Sequence, residues 1–195
     1  MARQRGKKLT NTPEYKYGVI FELHIADILR KRAHNTTSQS KRHMPYIPVE
    51  GAEPGDIFCP YIGAFIELKV KPKRLMYPDT GINTSVYKTY KEHWEEKAID
   101  TLLLFADPEL NKVYGNYITK LWVPYNSKDN GEYPLEEESH INDKENIKHP
   151  SITYFHLDSM EDEQWIINEL GIMSLNQEAL FKELANMKIK LEASK

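Results

Sequence analysis

Residues 55–70 read GDIFCPYIGAFIELKV, and the fold turns on this stretch. Two short apolar runs meet at a turn centred on Tyr61 and Ile62, which predicts a β-hairpin. Three charged side chains, Asp56, Glu67 and Lys69, interrupt it. An ionised group among Ile, Phe, Leu and Val is costly unless it is paired, hydrogen-bonded or bound to a metal. Alternate residues of a strand share a face, so Ile66, Leu68 and Val70 point one way while Phe65, Glu67 and Lys69 point the other. The turn sets Phe58 against Phe65 and Asp56 against Glu67. The two carboxylates then stand about 4.5–5.5 Å apart at Cβ.

Opposed carboxylates repel each other unless a proton or a cation lies between them. Hard oxygen donors suit Mg²⁺ or Mn²⁺, and Mg²⁺ is commonly held by one or two carboxylates together with waters and phosphate oxygens. Lys69 shares the face of Glu67 and is placed to touch a bound water or a phosphate. Such a set suits phosphodiester cleavage, because the cation activates water and both positive charges stabilise the transition state. The plainer reading is a surface hairpin, with Glu67 and Lys69 on a solvent stripe and Asp56 at a turn.

Upstream, residues 1–11 carry Arg3, Arg5, Lys7 and Lys8 without apolar periodicity and read as a flexible basic arm. Thr12-Pro13 marks a helix start, and Tyr15, Val19, Leu23 and Ala26 with Ile25, Ile28 and Leu29 predict a helix to about Arg32. Glu22 falls on the apolar face of that helix. It either reaches water from the stripe's edge or belongs to the charged site. Residues 30–48 are polar and basic, with a short strand near Tyr46 and Ile47, and either track phosphates or form a solvated loop.

Downstream, Lys71, Lys73 and Arg74 lie in a basic loop, KPKRLMYPDTGIN. Ser85 caps a helix with Tyr87, Tyr90, Lys91, Trp94 and Ala98 on one side. TLLLFA, 101–106, suits a strand buried on both faces. VYGNYI, 113–118, follows as a strand, and KLWV, 120–123, either continues it or forms another. Residues 126–150 read as a long surface excursion, and SITYFHL, 151–157, as a strand. Two helices follow. One runs from about Glu161 to Leu170 and ends at Gly171. The other starts at Ser174 with Gln177 as its capping-box partner, and carries Leu175, Ala179, Leu180, Leu184, Met187 and Leu191 on one side.

Asp56, ten intervening residues and then Glu67-Leu68-Lys69, preceded by Glu53-Pro54-Gly55, resembles the PD-(D/E)xK nuclease superfamily. The order of elements is similar as well: a helix with an acidic residue, a hairpin carrying D and ExK, a helix, then a buried strand. The resemblance implies an α/β protein with a restriction-endonuclease-like αβββαβ core and a mixed sheet flanked by helices. That core would span 12–106 of a single domain, 1–195, with 107–195 as elaboration ending in the C-terminal helices. By the same resemblance Asp56 and Glu67 bind the metal, the Leu68 carbonyl completes its shell and Lys69 assists the nucleophile. Glu22 matches a carboxylate that some members supply from the first helix. Tyr87, Lys88 and Lys91 are the candidates for a residue near the scissile phosphate. The cofactor implied is Mg²⁺, with Mn²⁺ able to substitute. The partner implied is DNA, met by Lys41, Arg42, Lys71, Lys73 and Arg74 together with those three helix residues, and the assembly implied is a homodimer. One position departs from the pattern, because Gly55 separates Pro54 from Asp56.

The expected activity is therefore a metal-dependent DNA endonuclease. A structure-specific role resembling Holliday-junction resolvases in DNA recombination stays open beside one resembling small restriction or phage nucleases. The competing class is a nuclease-fold module that binds DNA or a protein without cutting, which has no need of Asp56, Glu67 and Lys69 together. Charge distribution fits a polyanionic ligand: residues 1–100 carry 17 basic against 12 acidic side chains, the remainder 9 against 17. No apolar run suits a signal peptide or a membrane span, which predicts a cytoplasmic protein. Cys59 is the single cysteine, the seven histidines form no metal motif, and serine-hydrolase, Walker and dinucleotide fingerprints are missing.

Overall fold

The computed structural model describes residues 13–35, 47–48, 55–122, 141–142, 147–148 and 152–193. The first helix is α1 (Pro13–Asn35), followed by β1 (Ile47–Pro48), β2 (Ile57–Cys59), β3 (Ala64–Val70) and β4 (Asp79–Asn83). Then come α2 (Thr84–Lys97), β5 (Thr101–Asp107), β6 (Lys112–Tyr117), β7 (Ile141–Asn142) and β8 (Ile147–Lys148). The chain closes with β9 (Ile152–His156), α3 (Glu163–Leu170) and α4 (Gln177–Glu192).

The protein is α/β with a mixed sheet in the order β1-β2-β3-β5-β6. β1, β2 and β3 are antiparallel neighbours, β5 lies parallel to β3, and β6 returns antiparallel to β5. A parallel pair needs a crossover, and the chain between β3 and β5 contains β4 and α2. The hairpin adopts the expected register, with Ile57 opposite Ile66, Phe58 opposite Phe65 and Cys59 opposite Ala64. Gly63 takes a φ of 64°, a left-handed turn conformation that only glycine adopts without penalty.

Each face of the sheet is covered. Ile66 and Leu68 of β3 with Leu102, Leu104 and Ala106 of β5 pack under Phe21, Ile25 and Leu29 of α1 and Leu180 and Leu184 of α4. Leu103 and Phe105 face the other way, toward Tyr90 of α2 and Phe155 of β9. β5 is buried along its whole length, as the unbroken TLLLFA run requires. β6, β9, α3 and α4 come from the part expected as elaboration, and they complete the sheet and both cores.

Several local expectations are corrected. The buried arc of α1 is Ile20, Phe21, Ile25, Ala26 and Leu29, whereas Tyr15 and Leu23 of the expected stripe are exposed. α2 starts at Thr84 behind Asn83, which makes no side-chain capping bond, so Ser85 is not its cap. The buried positions of α2 are Thr84, Tyr90 and His93, and Trp94 stays 40% exposed. α4 starts at Gln177 rather than Ser174, because the Ser174 Oγ accepts from the Asn176 amide at 2.9 Å and forms a local turn instead of a capping box. Residues 118–120 form a turn, and Leu121 and Trp122 form no strand.

The largest departure is β4. The loop read as irregular contains DTGIN as a buried strand, paired antiparallel with β9 from Asp79 opposite His156 to Asn83 opposite Ile152. Asp, Gly and Asn are poor strand formers, so tertiary pairing overrides local preference here. Asp79 is fully buried, and its carboxylate accepts from Arg74 Nε and Nη2, each at 2.6 Å. The guanidinium also lies over the Tyr154 ring, 3.6 Å from its centroid. The basic arm 1–11 and most of the 126–150 excursion lie outside the described residues, save the short β7–β8 pair. Among the described residues no helix is long and apolar enough to cross a membrane.

Candidate active site

The site arises where β2 leaves β3. The Phe65 amide donates to the Asp100 carbonyl and the Lys71 amide to the Ala106 carbonyl, both at 3.0 Å. Odd-numbered residues of β3 therefore bond toward β5, and Ile66 and Leu68 turn their amides and carbonyls toward β2. Strand pairing with β2 reaches only Ile57 opposite Ile66. One more bond, from the Asp56 amide to the Ile66 carbonyl at 2.8 Å, ends the ladder.

Leu68 would be left with an amide facing a gap. The Asp56 carboxylate fills the role of a missing strand carbonyl, its Oδ2 accepting from the Leu68 amide at 2.9 Å. Gly55 makes this possible. Its φ is 83°, and a Cβ on it would stand 2.9 Å from the Phe65 Cβ and 3.1 Å from the Ile66 carbonyl oxygen. The glycine that separates Pro54 from Asp56 is thus required by the geometry that aims the carboxylate. The Leu68 carbonyl, on the same residue side as its amide, faces the same gap.

The expected pairing of Asp56 with Glu67 does not form, because the ladder ends at Ile57 opposite Ile66 and the Asp56 amide bonds to the same Ile66. Glu67 lies beside Leu103 of β5 and so points to the α2 face. It is 5% exposed, yet it is not stranded. Lys69 on the same face donates its Nζ to Glu67 Oε1, and Lys69 keeps 38% of its side chain exposed. The pair thus has one buried and one wet partner, an arrangement that leaves the ammonium accessible to an incoming anion.

Tyr90 of α2 completes the cluster. It is 5% exposed, and burial pushes its phenol well above the ordinary tyrosine range, reinforced by the Glu67 carboxylate to which its hydroxyl is hydrogen-bonded and by the charge of Asp56. A backbone hydrogen bond from Gly55 opposes the shift. Tyr90 therefore stays protonated and donates to Glu67. The sequence pattern places Tyr90 in an apolar stripe and gives it no role at the site. The signal available is its hydroxyl: a tyrosine on a buried helix face needs a polar partner.

The other expected residues are distributed as follows. Glu22 is half-buried on α1, the helix that covers the Ile66 and Leu68 face, whereas Glu67 points to the α2 face. Tyr87 is half-buried with its ring edge against Phe155 at 5.5 Å, and burial raises its pKa. Lys91 is exposed with its Nζ 5.9 Å from the Tyr87 ring centroid, and Lys88 is exposed. Lys71 donates to the Gly81 carbonyl at 3.0 Å, Lys73 reaches the Arg74 carbonyl at 3.4 Å, and Arg74 is committed to Asp79. Lys41 and Arg42 lie outside the described residues. Asp107, though buried, is a structural acceptor: it takes the amides of Lys73, Glu109 and Leu110 and the Tyr114 hydroxyl.

The structure thus assembles Asp56, Glu67, Lys69 and Tyr90 around the open edge at Leu68. Among the described residues no group of three His, Cys, Asp or Glu side chains is arranged to hold a metal ion. The donors that remain are two carboxylates and a carbonyl, an all-oxygen set of the kind Mg²⁺ accepts when waters and substrate fill the other positions. Comparison of the chain with protein-family models, with curated proteins and with solved structures gives no match.

Proposed function

We propose that the protein is a metal-dependent nuclease that hydrolyses DNA phosphodiester bonds at the open edge of β3. The observation that carries the reading is the Asp56 carboxylate held by the Leu68 amide where β2 departs, with Glu67 and Lys69, the two residues flanking Leu68, bonded to each other. The element order supports it: one helix, three antiparallel strands, a crossover with a helix, then a strand parallel to the third, an order similar to that expected of a restriction-endonuclease-like core, with β4 added in the crossover.

Asp56, Glu67 and the Leu68 carbonyl would hold Mg²⁺ or Mn²⁺, which when bound acidifies water and offsets phosphate charge. The residues of the chain do the rest. The Leu68 amide fixes one oxygen of Asp56 and leaves the carboxylate aimed into the gap. Tyr90 holds Glu67 in one orientation by donating to it. Lys69, half exposed and already beside Glu67, would hold the attacking water against the phosphate and stabilise the charge that develops on the phosphoryl oxygens. Two strands of DNA call for two sites, so a homodimer belongs to this reading.

End-labelled linear, nicked and four-way-junction DNA incubated with Mg²⁺ tests the proposal. Cleavage of at least one form is expected, abolished by chelation and by Glu67→Ala or Lys69→Ala in proteins whose circular dichroism is unchanged. Activity that survives either substitution would overturn the mechanism. Retention of DNA without cleavage of any form would assign the chain to the non-cutting class.

A further inference from the structure

The loop between β3 and β4 presents Leu75 and Met76, side by side, 86% and 85% exposed, with Tyr77 39% exposed beside them. Isolated exposed apolar residues are ordinary, but a contiguous group at a loop tip marks an interaction surface. The stems on both sides of the tip are fixed. The Lys71 amide is bonded to Ala106, the Lys73 amide to Asp107, and the Arg74 amide to the Asp79 carbonyl at 2.9 Å. The Arg74 guanidinium grips Asp79 and lies over the rings of Tyr154 and Tyr77, and the Pro78 carbonyl accepts from the Leu157 amide. Ordering costs are therefore met before anything binds, as in a preorganised probe. The prong springs from the end of β3 toward which Glu67 and Lys69 run, and Lys73 at its base has a neutral carbonyl partner that leaves its charge in place.

We infer that Leu75 and Met76 form a wedge that enters the base stack of DNA beside the cleaved bond, so that the substrate is DNA with interrupted stacking: a bulge, fork or junction. This rests on the nuclease reading above. Apolar wedges pay for unstacking with contacts, and a step that is already open demands less. Positive charge at the base of the prong and the neighbouring cleavage residues favour DNA as the occupant over an uncharged surface.

The test compares wild type with the Leu75→Ser/Met76→Ser double variant, whose substitutions lie in solvent. Cleavage is measured on continuous duplex and on bulged and four-way-junction DNA of the same sequence. In a second arm, 2-aminopurine at the expected step reports unstacking on binding to the Glu67→Gln protein with and without the wedge substitutions. Wild type should prefer interrupted DNA, and the double variant should lose about 10-fold or more on it while still cutting continuous duplex. The fluorescence rise should vanish with the wedge. Equal preference in both proteins would overturn the wedge and leave the nuclease reading standing. Absence of Glu67-dependent cleavage by wild type removes both. Loss of self-association in the double variant, or loss of sedimentation with phosphatidylserine vesicles, without a change on DNA, would assign the prong to another surface and overturn the inference.

Discussion

Gly55→Ala probes the turn that aims Asp56. The added Cβ meets the Phe65 Cβ at 2.9 Å and the Ile66 carbonyl oxygen at 3.1 Å. Neither neighbour can retreat freely, since the Ile66 carbonyl is bonded to the Asp56 amide at 2.8 Å and β3 is held by β5 on its other side. A left-handed φ costs a residue with a Cβ about 1–2 kcal/mol, and overpacking adds about 1–3 kcal/mol. A total near 3 kcal/mol corresponds to a fall in Tm of about 6–12 °C for a domain of this size. Gly63→Ala is the control. Its φ of 64° carries the conformational cost, but nothing lies within 4 Å of the new Cβ. The difference between the two variants in a thermal melt isolates the contact with β3. If the strain is relieved by moving residues 55–56, the carboxylate shifts with them, and a displacement near 1 Å lowers cleavage by about 100-fold. Equal melting temperatures for the two variants, with cleavage intact in Gly55→Ala, would refute the argument.

Tyr90→Phe keeps the ring but removes the donor to Glu67; chemical denaturation should register a loss of about 1–2 kcal/mol, and cleavage should fall through kcat with KM nearly unchanged. Tyr90, Tyr114 and Tyr117 all have phenols raised above the ordinary tyrosine value of 10.0, by burial first and then by neighbouring carboxylates. The folded chain therefore keeps protons that the unfolded chain releases, so stability is fully present below about pH 10 and falls as pH rises beyond it; denaturation midpoints measured from pH 8 to 11 should show the fall, less steep in Tyr90→Phe. Asp79→Ala leaves the Arg74 guanidinium without its bidentate partner, and removal of one half of such a buried pair costs about 3–5 kcal/mol in a denaturant titration. Lys69→Met withdraws the ammonium from the buried Glu67, which keeps the Tyr90 hydroxyl; a denaturant titration should register a loss of about 1–3 kcal/mol, and cleavage should be abolished.

The hairpin is legible in the sequence from Ile57 to Ile66 because its determinants are local: period-two alternation fixes the faces and the turn residues fix the register, whereas at Asp56 the ladder ends and its amide bonds to Ile66 instead of pairing with Glu67. TLLLFA is legible for the same reason, since a strand buried on both faces has no polar positions. β4 is not. Its five residues, DTGIN, are held by β9, seventy-odd positions later in the chain, and by the Arg74–Asp79 pair, neither of which leaves a local trace. The charge of Arg74 suggests a phosphate contact until its buried partner is seen. Tyr90 escapes because apolar periodicity counts its ring and ignores its hydroxyl, and Leu23 is misplaced because the apolar spacing runs past the edge of the buried arc of α1. Helix starts move by one to three residues where a backbone turn, as at Ser174 and Asn176, takes the bond that a capping box would use.

Under the proposed function Asp56 and Glu67 act as one cation-binding pair. Calorimetric titration of the full chain with Mn²⁺ measures this directly, with Asp56→Asn and Glu67→Gln as test variants and Gly63→Ala as the control. Saturable binding by wild type and the control, lost in both test variants while their circular dichroism is unchanged, is the predicted result. Binding that persists in either carboxylate variant, or that wild type never shows with DNA present or absent, would contradict it.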